Sequence, residues 1–374
     1  MGILCKGVWL LMKIAVLVSG GVDSSVALRL LQEQYGEHCE LVAFYLKIWL
    51  EDELSYLGDC PWEQDLAYVR AVCEQARVPL QVVSLQKEYH ERVVAYTIAA
   101  IKRGETPNPD MMCNTFIKFG AFYDSIGKEY DAVATGHYAH IVQENGVWYL
   151  HRTPDALKDQ TYFLAHLSQE QLARALFPLG KITKQEVRAL AQQYDLCNKE
   201  RKDSQGLCFL GKIKFHDFVK HHMGEKQGLF IEYETGEKWG EHQGFWFYTI
   251  GQRQGIGLSH GPWYVVAKDV QKNVVYISRN YYSADKKRDR FRIDQENWFA
   301  GSVPILHAHN EYACQVKVRH GAALVDCVII DKATHREITL QTSDQGIAVG
   351  QFAVFYDGMK CLGSARIAGI DDEK

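Results

Sequence analysis

Along the first third of the chain, unbroken apolar runs alternate with segments in which apolar residues recur every three or four positions. Lys13-Ile14-Ala15-Val16-Leu17-Val18 is such a run, ending in Ser19-Gly20-Gly21, as expected of a strand buried on both faces of a parallel sheet. The next stretch, 22–34, carries Val26, Ala27, Leu30 and Leu31 at helical spacing. The alternation continues and predicts strands over 41–48, 80–85 and 131–135 and helices over 65–76 and 89–102. It stays helical from 169 to 194, where Thr183 and Glu186 fit a capping box. Strands alternating with helices imply a doubly wound α/β sheet with ligands at the carboxyl ends of its strands.

From about Gly228 onward the texture changes to short β-rich runs, 263–267, 274–278, 313–318, 324–330 and 353–356, broken by Gly, Asn and Asp. That pattern predicts small antiparallel sheets or barrels. A chain of 374 residues exceeds what one core usually serves. Three domains are therefore expected: an α/β domain over 12–215, a small central domain over 216–284 and a C-terminal β-barrel-like domain over 285–370. Residues 1–11 precede the first strand awkwardly, and Met12-Lys13 would start the chain equally well. They are read as an upstream start or a short frayed extension.

Composition narrows the function classes. With 47% hydrophobic and 24% charged residues the chain is an ordinary folded one. A formal net charge of −4 gives no bulk attraction to a polyanion, so any nucleic-acid role must rest on local basic patches. The ten cysteines show no CxxC pair, which disfavours a structural zinc and leaves no metal ligand set to nominate. No cleavable signal is seen, and the apolar stretch 8–18 is interrupted by Lys13 and falls short of the roughly 20 residues of a membrane span. The cytoplasm is the expected compartment, with no membrane partner.

The turn after the first strand carries the strongest chemical signal. In Ser19-Gly20-Gly21-Val22-Asp23-Ser24-Ser25, two glycines let the backbone approach a phosphate, and the following helix offers free N–H groups at its positive end. Ser19, Ser24 and Ser25 add hydroxyls. The segment lacks the GK[ST] of a Walker loop and the spacing of a dinucleotide fingerprint. It resembles the pyrophosphate loop of the ATP pyrophosphatase family, whose members cleave ATP between the α and β phosphates and so adenylate their substrate.

Two cysteine segments follow. Thr106-Pro107-Asn108-Pro109-Asp110-Met111-Met112-Cys113-Asn114 leads through two prolines to Cys113, with a helix expected to start at Asn114 and place the thiol near its positive end. Lys202-Asp203-Ser204-Gln205-Gly206-Leu207-Cys208-Phe209 sets the second cysteine after a polar loop. Taken singly, either cysteine is more readily read as a small buried hydrophobe than as a nucleophile. In order along the chain, SGGVDSS, TPNPDMMCN, ATGHYA at 134–139, KDQTYFL at 158–164, KDSQGLCFLG and TIGQRQGIG at 249–257 resemble the bacterial tRNA 2-thiouridylases.

The resemblance, which runs from about Lys13 to Gly363, implies an adenine nucleotide α-hydrolase-like N-terminal domain and a set of roles. Cys208 would carry a persulfide received from an upstream sulfur-relay protein, and Cys113 would be the nucleophile that forms a transient disulfide with it. ATP, with Mg2+, would adenylate O2 of the wobble uridine in the anticodon loop of tRNA, and sulfur would displace AMP. Leu17, Val18, Ser19, Gly20, Gly21, Val22, Asp23, Ser24, Leu46 and Gly136 match ATP-contacting positions. Asn108, Pro109 and Asp110 match residues lining the target base, and His137, Lys158, Asp159, Gln160, Arg319, His320 and Gln351 match tRNA contacts, with His320 where the family has tyrosine. Asp110 is either a general base or a cap of the following helix, and Asp23 either places magnesium or caps its helix.

Basic residues cluster at Lys199, Arg201 and Lys202 and at Lys286, Lys287, Arg288, Arg290 and Arg292; they are a solvated face or an RNA surface that would converge with the phosphate loop and cysteines on one cleft. Other pyrophosphatases, such as an amidotransferase synthetase or argininosuccinate synthetase, would keep SGGVDSS without needing Cys113 and Cys208. A tRNA-binding or sulfur-carrier protein would not need the loop, and an iron–sulfur thiolation enzyme would want a CxxC pair.

Overall fold

The computed structural model describes residues 4–5, 8–9, 12–48, 62–202, 214–303, 310–321 and 323–370. The chain divides into two units, one of Met1–Val93, Asp110–Ile213 and Gly358–Leu362, the other of Val94–Pro109, Lys214–Asp357 and Gly363–Lys374.

The first unit is built on strands β1 (Met12–Leu17), β2 (Cys39–Lys47), β3 (Leu80–Ser84) and β4 (Ala132–Ala134), a hairpin of β5 (His140–Glu144) and β6 (Val147–His151), and the short β7 (Ala175–Leu176). A parallel sheet runs in the order β3-β2-β1-β4-β7, with Ile14 and Val16 opposite Leu41 and Ala43 on one side and opposite Ala132 and Ala134 on the other. This is the doubly wound α/β sheet that the apolar runs predict. Ile14, Ala15 and Val16 are fully buried, which explains why the central strand has no polar alternation.

Helix α1 (Val22–Tyr35) follows β1 directly. Its Leu28 and Leu31 pack with β1, β2 and helix α2 (Trp62–Ala76), while Val22, Val26 and Ala27 pack with Val187 and Ala191 of α3 (Lys184–Gln193). The predicted capping box is present: Thr183 Oγ1 accepts from the Glu186 N–H and the Glu186 carboxylate accepts from the Thr183 N–H. The stretch 169–194 is not helical throughout, however. It contains a six-residue helix Gln169–Arg174, the strand β7 and a turn before α3, because Phe177, Pro178 and Gly180 interrupt the 3.6-residue period.

A second correction concerns Cys113. The helix does not begin at Asn114 but at Pro109, and Pro109–Cys113 continues into a wider π-type segment Asn114–Ala121 and then Phe122–Ser125. Proline at the first helical turn costs no hydrogen bond, so Pro109 is a helix start signal. The region 89–102 is likewise split, with a π-type segment His90–Val94 ahead of Ala95–Lys102.

In the second unit β8 (Gly228–Glu232), β9 (Lys238–His242), β10 (Tyr264–Asp269) and β11 (Val274–Ser278) form a sheet in the order β9-β8-β11-β10 around Phe230, Val265, Val275 and Ile277. The β8 and β11 strands are parallel, a departure from the all-antiparallel expectation. Strands β12 (Arg290–Trp298), β13 (Glu311–Lys317), β14 (Val325–Asp331), β15 (Arg336–Leu340), β16 (Phe352–Asp357) and β17 (Lys360–Ile370) run in the order β12-β15-β14-β13-β16-β17. The pairing of β12 with β17 closes the barrel, so no edge is left to protect.

Candidate active site

The phosphate loop lies at the carboxyl end of β1. Val18 N–H still donates to Phe44 O at 2.9 Å, and beyond it the chain turns. Ser19 N–H donates to Ser24 Oγ at 3.1 Å, and the Ser24 and Ser25 hydroxyls each donate to Gly21 O at 3.0 Å. The Ser19 and Ser24 hydroxyls also meet at 3.3 Å, so all three predicted hydroxyl donors are engaged within the loop. Gly20 has φ +77°, and a Cβ there would lie 2.6 Å from the backbone oxygen of Asp65. Both facts require glycine.

The Gly20 carbonyl is tethered. Asn198 Nδ2 donates to it at 2.9 Å and also to Ser25 Oγ at 2.9 Å, and Arg201 Nη1 donates at 3.0 Å. Arg201 is held by an ion pair with Asp65 and lies 4.8 Å over the Tyr68 ring. In a trans peptide the N–H points opposite to the carbonyl, so this tether aims the Gly21 N–H away from Asn198 and Arg201. Gly136 crosses the start of α1 so closely that a Cβ would lie 2.7 Å from Ser24 N. Leu17 and Leu46 stand near the carboxyl ends of β1 and β2, where Leu17 is in register with Phe44 and Leu46 with Val83. The structure thus gathers Leu17 to Ser24, Leu46 and Gly136 at one sheet edge.

Asp23 does not cap α1. Gly21 occupies the N-cap position without any side-chain bond, and Asp23 lies in the first turn. Its Oδ1 accepts from Tyr138 Oη at 2.8 Å and from Lys184 Nζ at 2.7 Å. The loop carrying Tyr138 is buttressed in turn by Gln160, whose Oε1 accepts from Tyr138 N–H at 3.0 Å while its own N–H donates to Tyr138 O at 2.9 Å. Asp159 is buried, taking Arg152 Nε at 3.3 Å and Thr161 Oγ1 at 2.8 Å; Lys158 beside it is half-buried. His137 Nδ1 meets Thr135 Oγ1 at 2.7 Å. Burial of its ring, together with the Lys118 ammonium nearby, holds His137 well below the ordinary 6.5, so it is neutral at pH 7.

Cys113 is the fifth residue of its helix and fully buried. Asn114 next to it donates to Phe163 O at 3.0 Å and accepts from Lys118 Nζ at 2.9 Å. Asp110 is the second helical residue and half-buried, so it is not that helix's N-cap. Cys208 lies outside the described residues, and with it the predicted Cys113–Cys208 pairing.

In the second unit, Asn108 is buried and its N–H faces Tyr96 Oη at 3.5 Å. Thr106 N–H donates to Val349 O at 2.8 Å and Gln351 Nε2 to Pro107 O at 3.2 Å, which places Gln351 against the TPNP segment. Arg319 is exposed and pairs with Asp344 at 2.8 Å, with His320, also exposed, beside it. Much of the basic run is engaged internally: Lys286 is buried against Glu234 at 2.6 Å and Asp285 at 3.0 Å, and Lys287 pairs with Asp289 at 2.6 Å. Lys199 pairs with Asp195.

Tyr138, Lys184 and Asn198 were not nominated from sequence, and Arg201 was read only as part of a charge cluster. Their partners lie 115 to 181 residues away along the chain, so no local pattern could have found them.

The family described as tRNA methyl transferase HUP domain matches residues 12–212, its PRC-barrel domain 216–279, and the aminomethyltransferase beta-barrel domain 288–367. The chain is 44% identical to the tRNA-specific 2-thiouridylase MnmA 2 of Bacteroides fragilis over 95% of its own length and 100% of that protein's. The tRNA-specific 2-thiouridylases MnmA 1 of Bacteroides thetaiotaomicron and MnmA of Porphyromonas gingivalis are 44% and 43% identical, each over 95% of this chain and 99% of theirs. The chain belongs to the tRNA-specific 2-thiouridylase family. In this 2-thiouridylase no described helix is long and apolar enough to cross a membrane. Among its described residues no group of three or more His, Cys, Asp and Glu side chains could hold a metal ion.

Proposed function

We propose that this 2-thiouridylase is an ATP-dependent tRNA-uridine 2-sulfurtransferase acting in two half-reactions on one bound base. In the first, O2 of the wobble uridine attacks the α-phosphorus of ATP, the α–β bridging bond breaks and pyrophosphate leaves. In the second, sulfur derived from a persulfide on Cys208 attacks C2 and AMP leaves with the former O2. The Cys113 thiolate attacks the inner sulfur of Cys208 and closes a Cys113–Cys208 disulfide on either route: before transfer, releasing hydrosulfide that attacks C2, or after the outer persulfide sulfur has attacked C2 directly, cleaving the S–S bond and freeing the thiolated base. An external reductant then restores both thiols, and a sulfur-relay protein reloads Cys208. The anticodon loop of tRNA supplies the base.

The observation that carries this reading is the phosphate loop itself, tethered through Gly20 O and overlaid by Gly136, in a chain of this family. Backbone N–H groups at the start of α1 offset the charge that builds on the α-phosphoryl oxygens. A magnesium ion accompanying the nucleotide would be held by its phosphates and by the Asp23 carboxylate in the first turn, and would offset phosphate charge during adenylation. Because Asp23 Oδ1 is shared with Lys184, the same lysine is positioned to balance the phosphate charge. Asp110 in the first turn of the Cys113 helix is the candidate base for a thiol proton. Asn108 and Pro109 are assigned to the target base, and His137, Lys158, Arg319, His320 and Gln351 to tRNA. Gln160 supports the loop around Tyr138, and the buried Asp159 holds Arg152 and Thr161 beside it. We assign catalysis to residues 12–215 and tRNA positioning to 216–284 and 285–370.

Nucleoside mass spectrometry tests this. tRNA is incubated with the protein, ATP, magnesium and a sulfide source, using wild type, Cys113→Ser and Cys208→Ser. 2-Thiouridine from wild type alone supports the reading. AMP release without any thiouridine would assign the same loop to a different acceptor.

A further inference from the structure

The TIGQRQGIG segment has no part in the phosphate loop or the cysteine relay, yet its backbone is demanding: Gly251, Gly255 and Gly257 have φ of +85°, +80° and +71°. At Gly251 the reason is close approach. A Cβ there would lie 2.8 Å from the Tyr281 hydroxyl and 3.8 Å from Gly346 Cα, while a Cβ on Gly346 would lie 2.5 Å from Arg319 Nη1. The Tyr281 hydroxyl, the Gly251 turn and the Arg319 guanidinium therefore pack at one spot of the second unit. From there the Tyr281 ring stacks on Tyr264, centroids 4.7 Å apart and planes 16° apart, with Tyr282 edge-on at 5.1 Å. Arg253, exposed at the centre of the motif, lies 6.0 Å from the Tyr264 ring.

We propose that Arg253, Tyr264, Tyr281 and Tyr282 form a stacking platform for an unpaired nucleotide of the tRNA, continuous with Arg319. Tyr282 is 76% exposed, a large ring surface left in water at the end of an aromatic ladder. A base has an apolar face that such a ring covers irrespective of sequence, and a guanidinium beside it meets either the base face or the phosphate. Only an unpaired nucleotide offers that face, since a paired one keeps it within the helical stack. Tyr281 also lines a cavity of about 840 Å³ whose charged wall residues, Lys286, Lys287, Arg288 and Arg290 with Glu234, Asp285 and Asp289, nearly balance, so the attraction for a phosphate rests on the exposed Arg253. A protein partner would want a contiguous apolar patch; here three tyrosine rings are flanked by the guanidinium groups of Arg253 and Arg319. The Gly251 turn thus has a physical purpose, to admit the Tyr281 hydroxyl and hold the ladder upright.

The proposal rests on the tRNA reading given above, and one experiment separates the two. Equilibrium binding of unmodified tRNA is measured for wild type, Tyr282→Ala, Tyr282→Phe, Arg253→Gln and Arg319→Ala, with ATP-analogue binding as a check that each variant is folded. Tyr282→Ala should weaken tRNA binding about 5- to 100-fold, while Tyr282→Phe stays within about twofold, because stacking needs the ring and not the hydroxyl. Arg253→Gln should weaken binding and lower the slope of log K against log salt by about one. If wild type fails to bind tRNA, the tRNA reading itself falls. If wild type binds and Arg319→Ala weakens it but Tyr282→Ala does not, the platform is refuted; Tyr282→Phe as weak as Tyr282→Ala would also refute stacking.

Discussion

Gly20→Ala tests whether the phosphate loop depends on close backbone approach, and Gly146→Ala supplies the matched control. The two glycines have nearly equal positive φ, +77° and +83°, so an added Cβ incurs a similar backbone penalty of about 1 kcal/mol at each. Gly146 lies in the turn between β5 and β6 with nothing within 4 Å of its would-be Cβ. At Gly20 that atom would lie 2.6 Å from Asp65 O and 3.0 Å from Arg201 Nη1. The carbonyl is backbone and cannot rotate aside. Restoring contact to 3.4 Å, where ordinary van der Waals distances begin, needs a shift of about 0.8 Å, and overpacking of this kind costs about 1–3 kcal/mol. Gly20→Ala should therefore lose about 2–4 kcal/mol in total and lower the melting temperature by roughly 5–15 °C, against roughly 2–4 °C for Gly146→Ala. The displaced loop no longer presents its amides in register, so calorimetric binding of a non-hydrolysable ATP analogue should weaken at least about tenfold in Gly20→Ala and stay unchanged in Gly146→Ala. Equal melting temperatures and equal nucleotide affinities for the two variants would refute the close-approach argument.

Lys184→Met leaves Asp23 with Tyr138 as its remaining described partner and adds uncompensated negative charge beside the phosphates; the KM for ATP should rise about tenfold or more with little change in melting temperature, measured by AMP release. Asn198→Ala removes two 2.9 Å hydrogen bonds from the loop and should cost about 1–3 kcal/mol in thermal unfolding, with weaker ATP binding. Burial holds Lys268 down to about 8, from 10.5, so charging it at pH 7 opposes folding; its stabilising share is present above about 10.5 and lost as pH falls through 8. Lys268→Met should raise stability at pH 7 by on the order of 1–2 kcal/mol after loss of the bond to Tyr248 O, and the gain should shrink above pH 10. Burial likewise holds His242 down to about 4, against 6.5. The folded state favours the neutral ring, so stability is full above about pH 6.5 and declines toward pH 4; melting curves across that range should show a shallower decline in His242→Gln.

Much of this protein is local, and the sequence determined it. A strand without polar alternation must be covered on both faces, so Lys13 to Val18 announced a central parallel strand. The glycines after it announced a turn without side chains, and Thr183 and Glu186 announced a helix start, each through interactions spanning a few residues. Local reasoning failed where the decisive partner is distant. Pro109 starts the Cys113 helix, which widens into a π-type segment after Cys113. Asp23 has the composition of a cap, yet Tyr138 and Lys184, 115 and 161 residues away, take its carboxylate. Arg201 and Lys286 stood in clusters read as a solvated face or an RNA surface, but Asp65 and Glu234 pair with them. Side-chain type and spacing specify what a segment can do; which of those capacities is used depends on the groups that folding brings within about 3 Å, because hydrogen bonds and ion pairs fall off over that distance.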